Sequence, residues 1–337
     1  MTQATTIQNK IETKENTDMT AKINPKENLK FFSGSSHPEL AKEISEYLGV
    51  PLGKIQLSKF SCGENYARIE ENVRGSNVFV LQTTTQNVNE DIMELLLIID
   101  SLKRASCQTV NVVLPYYPYS RQDKKSAPRE PISAKLVATL IESAGADRVI
   151  TMDLHADQIQ AYYNVPLDHL FALPLFAKYF QSLNIPADEL VVVAPDTGRA
   201  KTAKRLADRL GATLAIIHKN RPKHNTSEVM HVVGEVENKT CIIFDDMVDT
   251  AGTVCNGADA LKKHGAKEFY LAATHPVFSG PAIERLKKAD FKQIVVTNTI
   301  PLGDKKFDKI KVISTAPLLA EAILRNNSHE SVSELFK

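Results

Sequence analysis

From Ile242 to Thr253 the chain runs Ile-Ile-Phe-Asp-Asp-Met-Val-Asp-Thr-Ala-Gly-Thr. The pattern is an apolar strand ending in two acids, then a short polar loop that opens a helix near Val254. At the carboxyl end of a parallel strand, such a loop offers unpaired backbone N–H groups and the positive end of a helix dipole. Thr250 and Thr253 add hydroxyl donors, and Gly252, next to Ala251, permits close approach of an anion. Asp245 and Asp246 can accept hydrogen bonds from vicinal sugar hydroxyls. Together these groups read as a cradle for a phosphorylated sugar. The plainer alternative is a capped helix with Asp249 or Thr250 as N-cap, but a cap needs one acid or hydroxyl and this loop offers five.

Other segments carry weaker signals. Arg121 is a planar donor fork suited to phosphate oxygens or to stacking on a purine, and Gln122 can read a base edge. A basic loop running on through Lys124 and Lys125 is more often a solvated surface. His155 follows an apolar run, where it can ligate a metal or bind phosphate, although a lone histidine usually does neither. Asp196 stands just beyond another apolar run. Lys219 and Arg221 belong to a basic stretch, His-Lys-Asn-Arg-Pro-Lys-His, whose plain reading is an exposed turn.

The elements that must position these groups alternate. Strand-length apolar runs at 29–32, 78–82, 110–114, 149–153, 190–194, 214–218, 241–245, 268–274 and 293–298 are separated by helical patterns. Several runs are continuously Val, Ile and Leu, as in strands covered on both faces, so an α/β fold with mostly parallel sheets flanked by helices is expected. Residues 91–105 place Ile92, Leu95, Leu96, Ile99 and Leu102 on one helical stripe. Leu97 and Ile98 lie off it, which calls for a second covered side, in a subunit interface or a deep core. A strand, polar loop, helix and strand at 77–117 recur at 240–277, about 165 residues later. A helix-then-strand unit at 134–153 recurs at 200–219. Two related domains in tandem follow, 28–170 and 171–337, after a disordered extension over 1–27.

Composition narrows the class. The 337 residues are 43% hydrophobic and 24% charged, which supports sizeable cores. With 41 Lys and Arg against 40 Asp and Glu, net charge gives no reason to expect nucleic acid or an anionic membrane as partner. Cys62, Cys107, Cys241 and Cys255 form no CxxC pair, a usage that fits a reducing cytosol. No apolar stretch spans a bilayer, and residues 1–27 lack the apolar core of a secretory signal. A cytoplasmic enzyme is expected.

The 246–253 loop resembles the phosphoribosyl-binding loop of the type I phosphoribosyltransferase fold. Four further motifs stand in the same order as in the ribose-phosphate pyrophosphokinases, also called phosphoribosyl pyrophosphate synthetases. They are Phe31-Phe32-Ser33-Gly34-Ser35, the run from Pro115 to Lys124, Met152-Asp153-Leu154-His155-Ala156, and Ser331-Val332-Ser333-Glu334-Leu335-Phe336. The resemblance covers nearly everything from residue 29 to 336. It implies two tandem phosphoribosyltransferase-like domains and transfer of a diphosphoryl group from ATP to ribose 5-phosphate, with Mg²⁺ as cofactor. It assigns Asp245, Asp246, Asp249, Thr250, Ala251, Gly252 and Thr253 to ribose 5-phosphate. Arg121, Gln122 and His155 go to ATP, together with Phe60, Cys62 and Glu64, which reach a neighbouring subunit's site. His155 and Asp196 are its metal ligands, and Lys219 and Arg221 its catalytic cations on a mobile loop. Arg74, Lys124, Lys125, Arg129, Asp168, Ser331, Ser333 and Phe336 match an effector site.

The resemblance also implies dimers assembling to a hexamer, or a hetero-oligomer with paralogues. Three positions depart from the pattern, one of them Asp157, a carboxylate where Ser or Pro is usual near a bound anion. Cys62 stands where Asp or Asn is usual, and Arg199 replaces the second glycine of Asp-x-Gly-Gly. Arg199 either costs backbone strain or adds an anion contact. The rival readings are a phosphoribosyltransferase that consumes phosphoribosyl pyrophosphate, and a catalytically weak regulatory paralogue.

Overall fold

A computed structural model describes residues 24, 26–220 and 229–336. Arg221 and nearly all of the expected extension over 1–27 lie outside the described residues. The strands of the first half are β1 (Leu29–Ser33), β2 (Ile55–Lys59), β3 (Asn65–Ile69), β4 (Asn77–Leu81), β5 (Thr109–Leu114), β6 (Arg148–Met152) and β7 (Leu167–Leu170). Those of the second are β8 (Leu190–Ala194), β9 (Thr213–Asn220), β10 (Val229–Val233), β11 (Thr240–Val248), β12 (Glu268–Pro276), β13 (Gln293–Thr297) and β14 (Ile310–Ile313). One sheet has the order β1-β4-β5-β6-β7, every pair parallel. The other runs β10-β9-β8-β11-β12-β13-β14, parallel except for β10 at its edge. β2 and β3 form a separate antiparallel hairpin. The helices are α1 (Pro38–Leu48), α2 (Val88–Arg104), α3 (Ser133–Ala144), α4 (Leu173–Gln181), α5 (Ala200–Leu210), α6 (Gly252–Lys263), α7 (Ala282–Lys288) and α8 (Ala316–Asn327).

Alternation along each strand explains the layering, because successive side chains point to opposite faces. Phe79 and Leu81 of β4, Val192 and Ala194 of β8, and Ile242 and Phe244 of β11 enter one continuous core shared by the two halves, closed by α1, α4, α5 and α8. Val78 and Val80 face the opposite way, into a second core under α2 and α3. Val191, Val193, Cys241 and Ile243 face a third under α6 and α7. Each run reads as continuously apolar because both of its faces are buried. Cys241 behaves as a small apolar residue, its thiol pushed up to about 12 by burial.

α2 is covered on two sides within the chain. Leu95, Ile98, Ile99 and Leu102 are buried, and Leu57, Ala67 and Ile69 of the β2–β3 hairpin pack against the same core. The halves also meet through hydrogen bonds at the carboxyl ends of their strands. Thr83 Oγ1 donates to the Thr299 carbonyl at 2.7 Å, and Thr274 Oγ1 to Asp153 Oδ2 at 2.6 Å. His37 caps α1 by accepting from Leu40 N, which leaves its Nε2–H to donate to the Asn298 carbonyl at 2.8 Å. Parallel strands therefore end facing one crevice, where α/β folds place their chemistry.

Candidate active site

β11 runs further than the sequence suggests. It stays paired with β12 past Asp245↔Ala273 to Val248↔Pro276, so Asp245 and Asp246 sit on a strand and not in a loop. The loop proper is Asp249 to Ala251, and α6 begins at Gly252. A segment distant in sequence braces it. Phe278 N donates to the Val248 carbonyl at 2.9 Å, Ser279 N to the Asp249 carbonyl at 3.0 Å, and the Ser279 hydroxyl to Asp249 Oδ1. Arg285 on α7 donates to the Thr250 carbonyl at 2.9 Å. A Cβ on Gly252 would stand 3.3 Å from that guanidinium, so a larger residue would need the Arg285 side chain to give by a few tenths of an ångström. Tyr119, Asp153, Ala251 and Phe278 all have positive φ, at 55, 39, 61 and 46°. Such geometry is costly away from glycine and asparagine, and here it clusters around the crevice.

One ion pair crosses that crevice. Arg121 Nη1 lies 2.7 Å from Asp249 Oδ2, joining the loop after β5 to the loop after β11. The cavity around it has a volume of about 870 Å³, with Thr84, Gln122, Ser279 and Lys305 among its lining residues. Ser133 donates to the Gln122 side-chain oxygen, so the amide is oriented from the start of α3. Asp123 is buried and accepts from Gln158, which anchors the basic loop from below.

Beside the ion pair lies a compact charged cluster. Arg199 Nη2 is 2.7 Å from Asp246 Oδ2 and 2.9 Å from His155 Nδ1, and Arg199 Nε is 3.3 Å from Asp245 Oδ1. Asp196 caps the short helical turn Thr197–Arg199 by accepting from Arg199 N at 3.1 Å. Arg199 has φ −91°, ordinary for any residue, so the replacement of glycine costs no left-handed strain and the side chain contacts anions instead. Burial would raise the Asp246 carboxyl, but the His155 hydrogen bond and Arg199 hold it down to about 2. Burial and the adjacent Asp246 push Asp245 well above the usual carboxylate range.

Behind the cluster sit groups that sequence spacing does not single out. His275 is buried, with Nε2 3.1 Å from the carbonyls of Met152 and Asp153, and burial lowers it to about 4. His169 accepts from Leu154 N at 2.9 Å and is likewise lowered by burial to about 4. Asp153 Oδ2 accepts from Thr274 and from Ala172 N, and burial raises its carboxyl to about 6. Between pH 3.8 and 6 the folded chain thus holds a proton on Asp153 that the unfolded chain has released. That contribution to stability is whole below 3.8 and lost as pH rises through 6. A carboxamide oxygen can accept the same two bonds. Asp153→Asn should therefore gain about 2 kcal/mol relative to wild type between pH 4 and pH 7. Urea titrations at the two pH values test this, and an equal offset at both would refute it.

Other expected site residues lie elsewhere. Phe60 (53% exposed), Cys62 and Glu64 form the tip of the β2–β3 hairpin, and none lines the crevice. Lys219 lies near the end of β9, opposite Met230 of β10. The expected effector residues fall into separate groups. Asp168 pairs with Arg148 at 2.8 Å and accepts from Asn326, Ser331 and Ser333 are in hydroxyl contact, and Phe336 packs on Phe171. No hydrogen bond or ion pair among the described residues ties Arg74, Lys124, Lys125 or Arg129 to that C-terminal group.

Residues 29–145 match a family described as the N-terminal domain of ribose phosphate pyrophosphokinase, and residues 221–337 one described as the phosphoribosyl synthetase-associated domain. A ribose-phosphate pyrophosphokinase of Fusobacterium nucleatum is 56% identical over 310 residues, covering 92% of this chain and 98% of the relative. One from Bacillus subtilis is 52% identical, covering 92% and 97%. Among solved structures, phosphoribosylpyrophosphate synthetase from Mycobacterium smegmatis superposes with a TM-score of 0.85 at 44% identity, over 90% of this chain and 99% of that one.

Proposed function

The chain belongs to the ribose-phosphate pyrophosphokinase family, and from that premise we propose that it moves the β,γ-diphosphoryl group of ATP to the anomeric hydroxyl of ribose 5-phosphate. The anomeric oxygen attacks the β-phosphorus, the bond to the α,β-bridging oxygen breaks, and AMP leaves with that oxygen. The hydroxyl proton is lost in the same step. The observation that carries this reading is the Arg121–Asp249 ion pair, which sets a nucleotide-side cation against the sugar-phosphate loop at 2.7 Å.

The roles follow from the chemistry of each group. Backbone N–H groups from Thr250 to Thr253 hold the 5-phosphate at the start of α6, while Asp245 and Asp246 hold ring hydroxyls. Arg121 and Gln122 bind ATP. Both oxygens of Asp249 are engaged, by Arg121 and Ser279, which suits an anchor of the loop better than a base. No three His, Cys, Asp or Glu side chains among the described residues converge as a metal cage. Mg²⁺ takes one or two protein ligands and completes its shell with phosphate oxygens and water. His155 and Asp196 are the two, and the ion would neutralise charge on the transferring oxygens. Phe60 at its exposed hairpin tip suits completion of a neighbour's site in dimers that assemble to hexamers.

Incubation of the full chain with ATP, Mg²⁺ and ribose 5-phosphate should yield AMP and phosphoribosyl pyrophosphate in equal amounts. ADP in place of AMP would overturn the reading, as would no product at all.

A further inference from the structure

Arg199 touches every charged group of the cluster at once. Its guanidinium reaches Asp245, Asp246 and the Nδ1 of His155, its Nη2 also reaches the His155 carbonyl at 3.1 Å, and its main-chain N–H caps Asp196. The side chain is only 16% exposed. Asp246 Oδ2 and His155 Nδ1 lie 2.9 Å apart. That contact is a hydrogen bond in the tautomer with the proton on Nδ1, and in the other tautomer the two facing lone pairs need a cation between them. A guanidinium has only donors, so Nη2 can satisfy both atoms. A divalent cation would satisfy the same two.

We propose that Arg199 is a resident counter-cation that competes with divalent metal for His155 and, in the resting protein before sugar is bound, for the neighbouring Asp246 as well, so that metal enters by displacing it. The proposal rests on reading His155 as a metal-holding group. Metal binding to the resting protein is measured without turnover, however, so failure of this idea and failure of the proposed reaction give different results. The competition has a distinctive sign. A merely structural arginine, when removed, would loosen the cluster and weaken cation binding. A competing one, when removed, leaves carboxylates uncompensated and strengthens it.

The test is Mn²⁺ titration of the full chain, without nucleotide, followed by electron paramagnetic resonance. Arg199→Gly and Arg199→Gln should each bind Mn²⁺ about tenfold more tightly than wild type. The glutamine variant keeps most of the side-chain volume and guards against loss of packing. Adding Asp246→Asn to Arg199→Gln should cancel the gain. Equal or weaker Mn²⁺ binding by both variants overturns the proposal, as does an absence of binding in all the proteins. Failure of both variants to fold even in the presence of Mn²⁺ also overturns it, because a metal that displaces the arginine should supply the missing positive charge.

Discussion

Lys219→Ala should lower kcat about 10³-fold while leaving ribose 5-phosphate affinity within about twofold. In diphosphoryl transfer, charge develops on oxygens around the β-phosphorus only as the bond to AMP breaks. A cation that meets those oxygens late stabilises the transition state and not the bound sugar. Lys219 is the cation proposed for that role. It stands near the end of β9, a strand that begins beside β8 and leads into the basic stretch around Arg221. The groups assigned to the sugar lie on β11, on the Asp249–Ala251 loop and at the start of α6. Steady-state kinetics together with calorimetric binding of ribose 5-phosphate separate the two effects. An unchanged kcat would remove Lys219 from catalysis. A kcat loss matched by an equal loss of sugar affinity would reassign it to substrate binding.

What the sequence discloses about the fold depends on burial. β4, β5, β8, β11 and β12 are legible because nearly all of their residues are covered, leaving apolar runs without alternation. β2 and β14 are half-exposed, with burial that changes from residue to residue, and they leave no such run. β7 and β10 occupy sheet edges and are short, so they too pass unread. The repeated motif is real in structure, since β4-α2-β5 and β11-α6-β12 are the same parallel unit at the centre of each sheet. The cradle is legible because its groups are consecutive. Ser279 and Arg285 are not, because they act on the cradle from 30 and 35 residues away through hydrogen bonds that leave no spacing signature. Arg199 is visible only as a departure from the family pattern. Its partners are His155 in the loop after β6 and Asp245 and Asp246 on β11, and only folding brings the two elements to it.

Asp246→Asn should weaken ribose 5-phosphate binding about 10²-fold with little change in the KM for ATP. The reasoning begins with the state of the pair. Asp246 is buried, yet His155 and Arg199 hold its carboxyl at about 2, so it is ionised under all working conditions and accepts strong hydrogen bonds. Asp245 is held well above the ordinary range by burial and by that neighbouring charge, so of the two it takes up a proton first as pH falls. The two acids thus differ in how readily they accept and donate, a combination suited to a vicinal diol. Asparagine at 246 removes the charge, and Asp245, relieved of its neighbour, falls back towards ordinary acidity and takes over Arg199. The cluster then keeps one ion pair, and stability falls less than complete loss of a buried partner would cost, which is about 3–5 kcal/mol. Stability carried by the low Asp246 carboxyl is whole above pH 3.8 and lost as pH falls through 2, so the variant's deficit should be present at pH 7 and shrink in acid. Sugar binding has no such substitute, because the acceptor geometry on β11 changes. Calorimetry with ribose 5-phosphate reads the affinity, and carbon-detected NMR of the Asp245 carboxyl reads the compensating shift. Unaltered sugar affinity together with a lowered Asp245 would show that the pair serves Arg199 alone and that the pentose hydroxyls are held elsewhere.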